Sequence, residues 1–242
     1  MSLIFKQSAG ARPVISGVRH STMQDMTIVF DFDHTLTSWD SSDRFFRWLI
    51  KRSWWRLGLV VISLPVTGPL LIPKATRKLP IRFAVWVATL FQSHEGLKLL
   101  ASRHVAEMVA SGEGLVLREG SNQLRQHLEL GHTVVIATGS LEVLARQYLE
   151  QCGLGHVPLV GSSLKPFLLG MVSNEHCFGD RKIPMLTRRG YPPPWAVTYT
   201  DHECDLPVIG HSAECFLVNP RPKAICAISE RLSFTPTVLS WR

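Results

Sequence analysis

Four short apolar runs punctuate the chain: residues 27–32 (TIVFDF), 132–138 (HTVVIAT), 195–200 (WAVTYT) and 215–219 (CFLVN). Each is too short for a helix, so each predicts a strand buried on both faces, as in a parallel sheet. Between them the apolar spacing turns helical. SNQLRQHLEL ends at Gly131 and LEVLARQYLEQ ends near Gly153. A glycine just past a helix takes the left-handed conformation that closes it. Strands alternating with helices predict an α/β fold, a doubly wound, mostly parallel, Rossmann-like sheet with ligands beyond the carboxyl ends of its strands.

The pattern changes over residues 41–114. Residues 57–73 (LGLVVISLPVTGPLLIP) carry no charge, and a second uncharged stretch covers 83–94. A bilayer-spanning helix needs about 20 apolar residues. The first run has 17, with Gly58, Pro65, Gly68 and Pro69 inside it, so a clean transmembrane helix is not expected. From Arg44 to His94 there are nine cations and no Asp or Glu. That segment owns the net charge of +7, because elsewhere 17 cations face 19 acids. Cations bordering apolar runs, with Trp48, Trp54, Trp55 and Trp86 nearby, suit an anionic membrane surface. A small helical lobe with its own core and a solvated basic rim suits the same residues. No nucleic-acid-binding module accompanies the charge, and nucleic acid is not an expected partner.

With 45% hydrophobic and 19% charged residues, the chain can build one substantial core and a modest second lobe, which excludes wholesale disorder. Five cysteines without a C-x-x-C pair fit neither a disulfide framework nor a zinc ribbon and point to a reducing compartment. The histidines, among them His94 and His104, His127 and His132, and His202 and His211, lack zinc-ligand spacing. Residues 1–25 read as a disordered extension or an upstream start ahead of Met23 or Met26; their Arg and Ser suit a transit peptide, but no amphipathic run is sustained.

The predicted strand ends hold the chemistry. The first runs into Asp31 and Asp33, which on an extended chain point the same way. Alone, such a pair serves equally as a loop or a helix cap. The second delivers Thr138, Gly139 and Ser140, a hydroxyl and amides suited to phosphate oxygens at a helix start. The third delivers Asp201, with Asp205 four residues on, and Lys182 precedes the apolar helical stretch IPML. Carboxylates, a lysine and a helix start together make a magnesium and phosphate site, since Mg²⁺ takes one or two carboxylates and keeps waters.

In this order, D-x-D-x-T, a strand ending in Thr-Gly, a later Lys and D-x-x-x-D resemble the four motifs of haloacid dehalogenase-like phosphatases, over about residues 27–222. The hundred-residue gap between Asp33 and Thr138 is similar to the phosphoserine-phosphatase-like branch, with a helical cap inserted after the first motif. The implied organisation is a core of residues 26–40 and 115–242 with a cap of residues 41–114. The resemblance implies Asp31 as nucleophile and Asp33 as acid and base. It implies Mg²⁺ on Asp31, Asp33 (through its carbonyl) and Asp201, phosphate on Thr138, Gly139 and Lys182, and Asp205 behind the metal ligands. Two positions depart from the family pattern. His34 stands where glycine is common, and His202-Glu203 where small residues are common. Cys204, inside the fourth motif, reads as a packed side chain rather than a second nucleophile.

Substrate choice falls to the cap. Asp40 sits where phosphoserine phosphatases carry a Glu that meets the substrate amine, though it can equally cap the helix starting at Ser41 and Ser42. FFRWLIKR, the apolar stretch and FAVWVATLFQSHEG are similar to the cap of bacterial phosphatidylglycerophosphatase C. That likeness implies a lipid phosphate monoester as substrate and a place at the cytoplasmic face of the inner membrane. The alternatives are a soluble small-metabolite phosphatase in the cytoplasm and, less favoured, an inactive membrane adaptor, which would have no need of the intact motif residues.

Overall fold

The computed structural model describes residues 26–73, 75–232, 234 and 236–242. The reading of residues 1–25 lies outside them. Six parallel strands form the central sheet: β1 (Thr27–Phe30), β2 (Thr133–Leu141), β3 (Leu159–Ser162), β6 (Trp195–Thr200), β7 (Ser212–Val218) and β8 (Thr237–Leu239). Their order is β3-β2-β1-β6-β7-β8, with β1 and β6 hydrogen-bonded at the centre. The connections run outward on both sides of β1, which makes the β1–β6 boundary the point where ligands bind in such sheets.

Alternating side chains fill two cores. Ile28, Phe30, Val134 and Ile136 join one apolar cluster, and Val29, Val135 and Ala137 join the other. Helices cover both faces. α5 (Arg118–Glu129) and α6 (Glu142–Gln151) supply Leu124, Leu144 and Leu149 to the first cluster. α7 (Lys182–Arg188) and α8 (Leu206–Ile209) supply Met185, Leu186 and Val208 to the second. α9 (Pro222–Ser229) packs Ile228 on Leu217 beside them. Gly131 (φ 78°) and Gly153 (φ 70°) close α5 and α6 in the left-handed conformation their positions predict.

Several boundaries differ from the sequence reading. β1 stops at Phe30 rather than Phe32, because the chain coils: the amides of Leu36 and Thr37 both donate to the Phe32 carbonyl, at 2.8 and 3.0 Å. β2 continues past Thr138 to Leu141, and β7 starts three residues before Cys215. Four strands went unread in the sequence: β3, β8 and the two of the antiparallel hairpin, β4 (Leu164–Phe167) and β5 (Gly170–Ser173). They are three or four residues long, too short for a periodicity to register.

The insertion after β1 is four helices: α1 (Ser41–Lys51), α2 (Trp54–Leu70), α3 (Lys78–Ala88) and α4 (His94–Ala110). Among the described residues it shows no separate core. Phe45, Leu49, Ala88, Leu97, Ala101, Val105 and Met108 join the cluster on the sheet. α2 is the exception. It remains helical through Pro65 and Pro69, where the sequence suggests interruption, and its one buried residue is Arg56, whose Nη2 donates to the Leu90 carbonyl at 2.7 Å. Its apolar side chains face outward, Trp54 at 86% and Ile62 at 78% exposure. No helix among the described residues is long and apolar enough to cross a membrane.

Candidate active site

Asp31 leaves the end of β1 with its amide bonded to the Tyr199 carbonyl of β6, at 2.8 Å. Lys182, at the first position of α7 and only 3% exposed, sends Nζ to Asp31 Oδ1 at 2.6 Å and to Asp205 Oδ2 at 2.8 Å. Asp205 Oδ2 also accepts from Thr200 Oγ1 at 2.7 Å. Asp205 thus positions the lysine, and through it the nearer oxygen of Asp31. Thr35 Oγ1 reaches Asp31 Oδ2 at 3.4 Å.

The electrostatics follow from burial. Desolvation raises the Asp31 carboxyl to about 8 against the pull of Lys182, with Asp205 and Asp201 adding repulsion. Burial works to lower Lys182, but the two carboxylates outweigh it and hold the ammonium above its ordinary range. Asp201, just past β6, is raised chiefly by burial. One lysine therefore sits among three carboxylates and leaves negative charge uncompensated, which a divalent cation would neutralise. Among the described residues, no three His, Cys, Asp or Glu side chains surround a common point. Asp31, Asp201 and the Asp33 carbonyl suit Mg²⁺ instead, which fills its remaining positions with waters.

Asp33 points toward the insertion. Its Oδ1 accepts from the Ser41 amide at 2.9 Å, at the start of α1, and its Oδ2 accepts a short hydrogen bond from Ser140 Oγ. Ser41 Oγ donates to Ser140 Oγ at 2.9 Å, and Ser42 Oγ accepts from the Leu141 amide at 2.9 Å. Burial raises the Asp33 pKa and Asp40 adds repulsion, while the Ser140 and Ser41 bonds oppose the rise. The register of β2 against β3 shifts between Ala137 and Leu141, so Thr138, Gly139 and Ser140 bulge from that ladder. A bulge re-aims side chains and amides, and here it brings Ser140 onto Asp33. Thr138 Oγ1 is buried and accepts from the Ser140 amide at 3.0 Å, and Ser162 Oγ anchors the Gly139 carbonyl at 2.6 Å.

The structure brings Asp31, Lys182 and Asp205 into direct contact and sets Asp201 close enough to act on them. The Asp205 carboxylate, which the resemblance sets behind the metal ligands, is engaged by Lys182 and Thr200. Asp40 is the N-cap of α1, accepting from the Asp43 amide at 2.8 Å, yet it lies near enough to raise Asp33. His34 has φ 59°, which explains why glycine is common there; a histidine adopts that conformation more readily than most residues. The Cys204 thiol is raised by burial and by neighbouring carboxylates, which suits packing. Sequence reasoning missed the serine clamp on Asp33 and the Thr200 hydroxyl. Ser41 and Ser140 stand 99 positions apart, and no local pattern joins them.

A parallel sheet with acid residues and a buried lysine at its switch point defines an α/β protein whose ligand site lies at the carboxyl ends of its strands. Residues 28–209 match the model of the haloacid dehalogenase-like hydrolases, and the chain belongs to that family. No curated protein sequence matches it. Among solved structures, it is similar to a protein of unknown function from Bordetella pertussis Tohama I, with a TM-score of 0.66 and 17% identity, over 90% of this chain and 99% of that one. A substrate-bound phosphoserine phosphatase gives a TM-score of 0.53 and 14% identity over 84% and 90% of the two chains. Cytosolic 5'-nucleotidase IIIB bound to cytidine gives 0.56 and 13% over 90% and 80%. At these identities the likeness is one of fold.

Proposed function

We propose that this hydrolase is a Mg²⁺-dependent phosphomonoesterase working through an aspartyl-phosphate on Asp31. The carrying observation is the buried Lys182 held between Asp31 and Asp205. It places a fixed positive charge beside the nucleophile, where the oxygens of a transferring phosphoryl group would lie. Asp31 attacks phosphorus in line, and Asp33 protonates the departing alkoxide. Asp33 then takes a proton from the water that opens the acyl-phosphate. The serine clamp supports that double duty, because it fixes both carboxylate oxygens while burial favours the protonated form. Thr138, the Gly139 amide and Lys182 hold the phosphoryl oxygens. A magnesium ion held by Asp31, Asp201 and the Asp33 carbonyl would supply charge neutralisation.

The substrate class we infer is a lipid phosphate monoester such as phosphatidylglycerophosphate. The outward-facing apolar surface of α2 supports it, as does the acid-free basic segment beside it, where each cation near an anionic surface adds about 1 kcal/mol of attraction. Phosphoserine or a sugar phosphate is the alternative, favoured by the fold likeness to phosphoserine phosphatase. Asp31→Asn should abolish Mg²⁺-dependent phosphate release from an aryl phosphate while leaving the circular dichroism unchanged. Wild-type turnover in that variant would remove Asp31 from the nucleophile's role. A screen of phosphatidylglycerophosphate against phosphoserine and sugar phosphates decides the substrate class.

A further inference from the structure

The β4–β5 hairpin turns through two residues, Leu168 (φ 39°) and Leu169 (φ 62°). Turns with positive φ at both central positions favour Asn and Gly, which reach that conformation without strain and are at ease in water. Here two leucines occupy it, 71% and 73% exposed, with Phe167 also exposed beside them. Neither solvation nor backbone preference explains that choice. A medium outside the molecule that takes up the side chains does.

The tip is also held rigidly. Trp86 Nε1, on α3, donates to the carbonyls of Phe167 and Leu168 at 3.1 and 2.9 Å, and the Phe91 amide donates to the Leu169 carbonyl at 2.6 Å. The Met171 amide donates to Thr89 Oγ1 at 2.9 Å. Phe91 is itself exposed, and its ring lies 5.8 Å from that of Trp55 on α2. The hairpin, which follows β3 in the chain, is thereby linked through Phe91 to Trp55 of the exposed helix α2.

We propose that Phe167, Leu168 and Leu169 insert into an anionic lipid bilayer beside α2, so that the enzyme docks through a surface drawn from both the catalytic core and the inserted helices. This rests on the lipid-phosphate reading of the site. Charge selects the occupant: Arg44, Arg47 and Arg52 are paired with Glu113, Asp43 and Glu107 and Arg56 is buried, but Lys51, Arg77, Lys78 and Arg82 stay exposed without an ion pair among the described residues, and the hairpin adds Lys165 and no acid. Length sets the depth. A helix of 17 residues is about 25 Å long, short of the roughly 30 Å hydrocarbon core, so α2 lies along the interface instead of crossing it.

The test compares the full chain with a Leu168→Asp/Leu169→Asp variant, by co-sedimentation with vesicles of phosphatidylglycerol and phosphatidylcholine. The variant should partition about tenfold less, while its turnover of a soluble aryl phosphate matches the wild type, since the latch uses backbone carbonyls. Equal partitioning of the two proteins would overturn the hairpin's role and leave the lipid substrate standing. An intact chain that stays in the supernatant at low salt would overturn both docking and the lipid reading, while aryl phosphate turnover reports on the phosphatase chemistry separately. A wild-type dimer that the variant converts to monomer, without vesicle binding, would assign the surface to a second copy of the chain.

Discussion

His104 shows how a single buried side chain couples this fold to pH. It packs against the rings of Phe45 and Trp48, at 5.5 and 5.1 Å, and neither ring nitrogen has a partner among the described residues. Burial pushes it down to about 4, with Arg44 adding repulsion and Glu107 and Glu113 opposing. Its folded pKa lies below its unfolded one, so its contribution is complete above about pH 6.5 and is lost as pH falls toward 4. The loss is roughly 3 kcal/mol at most. In urea denaturation at pH 7.5 and 4.5, His104→Leu should lose less stability between the two than the wild type; an equal loss would show that His104 protonates without strain. The candidate catalytic residues belong to this scale too. Asp31, Asp33, Lys182 and Asp201 are legible because they stand close to predicted strand or helix ends, and Thr138 because it closes the apolar run of β2, all in a fixed order. The serine clamp is not, because its members meet only after the sheet and α1 have packed.

At the scale of elements, the contact between hairpin and α3 is a close one. A Cβ on Gly170 would come within 2.8 Å of Trp86 Cδ1 and 2.9 Å of the Trp86 carbonyl, and the carbonyl cannot move without disturbing α3. Gly170→Ala should therefore cost about 1–3 kcal/mol, read as a lower thermal midpoint. Loss of protection at the Phe91 and Met171 amides in hydrogen exchange should accompany it; unchanged protection would mean the hairpin and helix are not latched. The long elements were readable. Gly131 and Gly153 mark helix ends, and apolar runs mark β1, β2, β6 and β7. The hairpin escaped because its turn chemistry is wrong for a hairpin in water. α2 escaped because Gly58, Pro65, Gly68 and Pro69 argue against the helix it forms.

At the scale of the molecule, the charge imbalance around Asp31 links metal binding to stability. Saturating Mg²⁺ should raise the thermal midpoint by about 5–10 °C at a hundredfold excess over its dissociation constant, and Asp201→Asn should remove most of that gain. An equal shift in the variant would exclude Asp201 as a ligand.

Sequence alone determined the parallel α/β class, the order of the acid, Thr-Gly and lysine motifs, and the confinement of positive charge to one apolar segment. Those properties are local or additive, carried by periodicity, strand ends and charge. Tertiary structure decided which groups meet: that Asp205 holds Lys182, that serines from α1 and β2 clamp Asp33, and that the β4–β5 hairpin is latched to α3. Contacts between residues a hundred positions apart depend on how layers pack, and a one-dimensional pattern carries no record of that geometry.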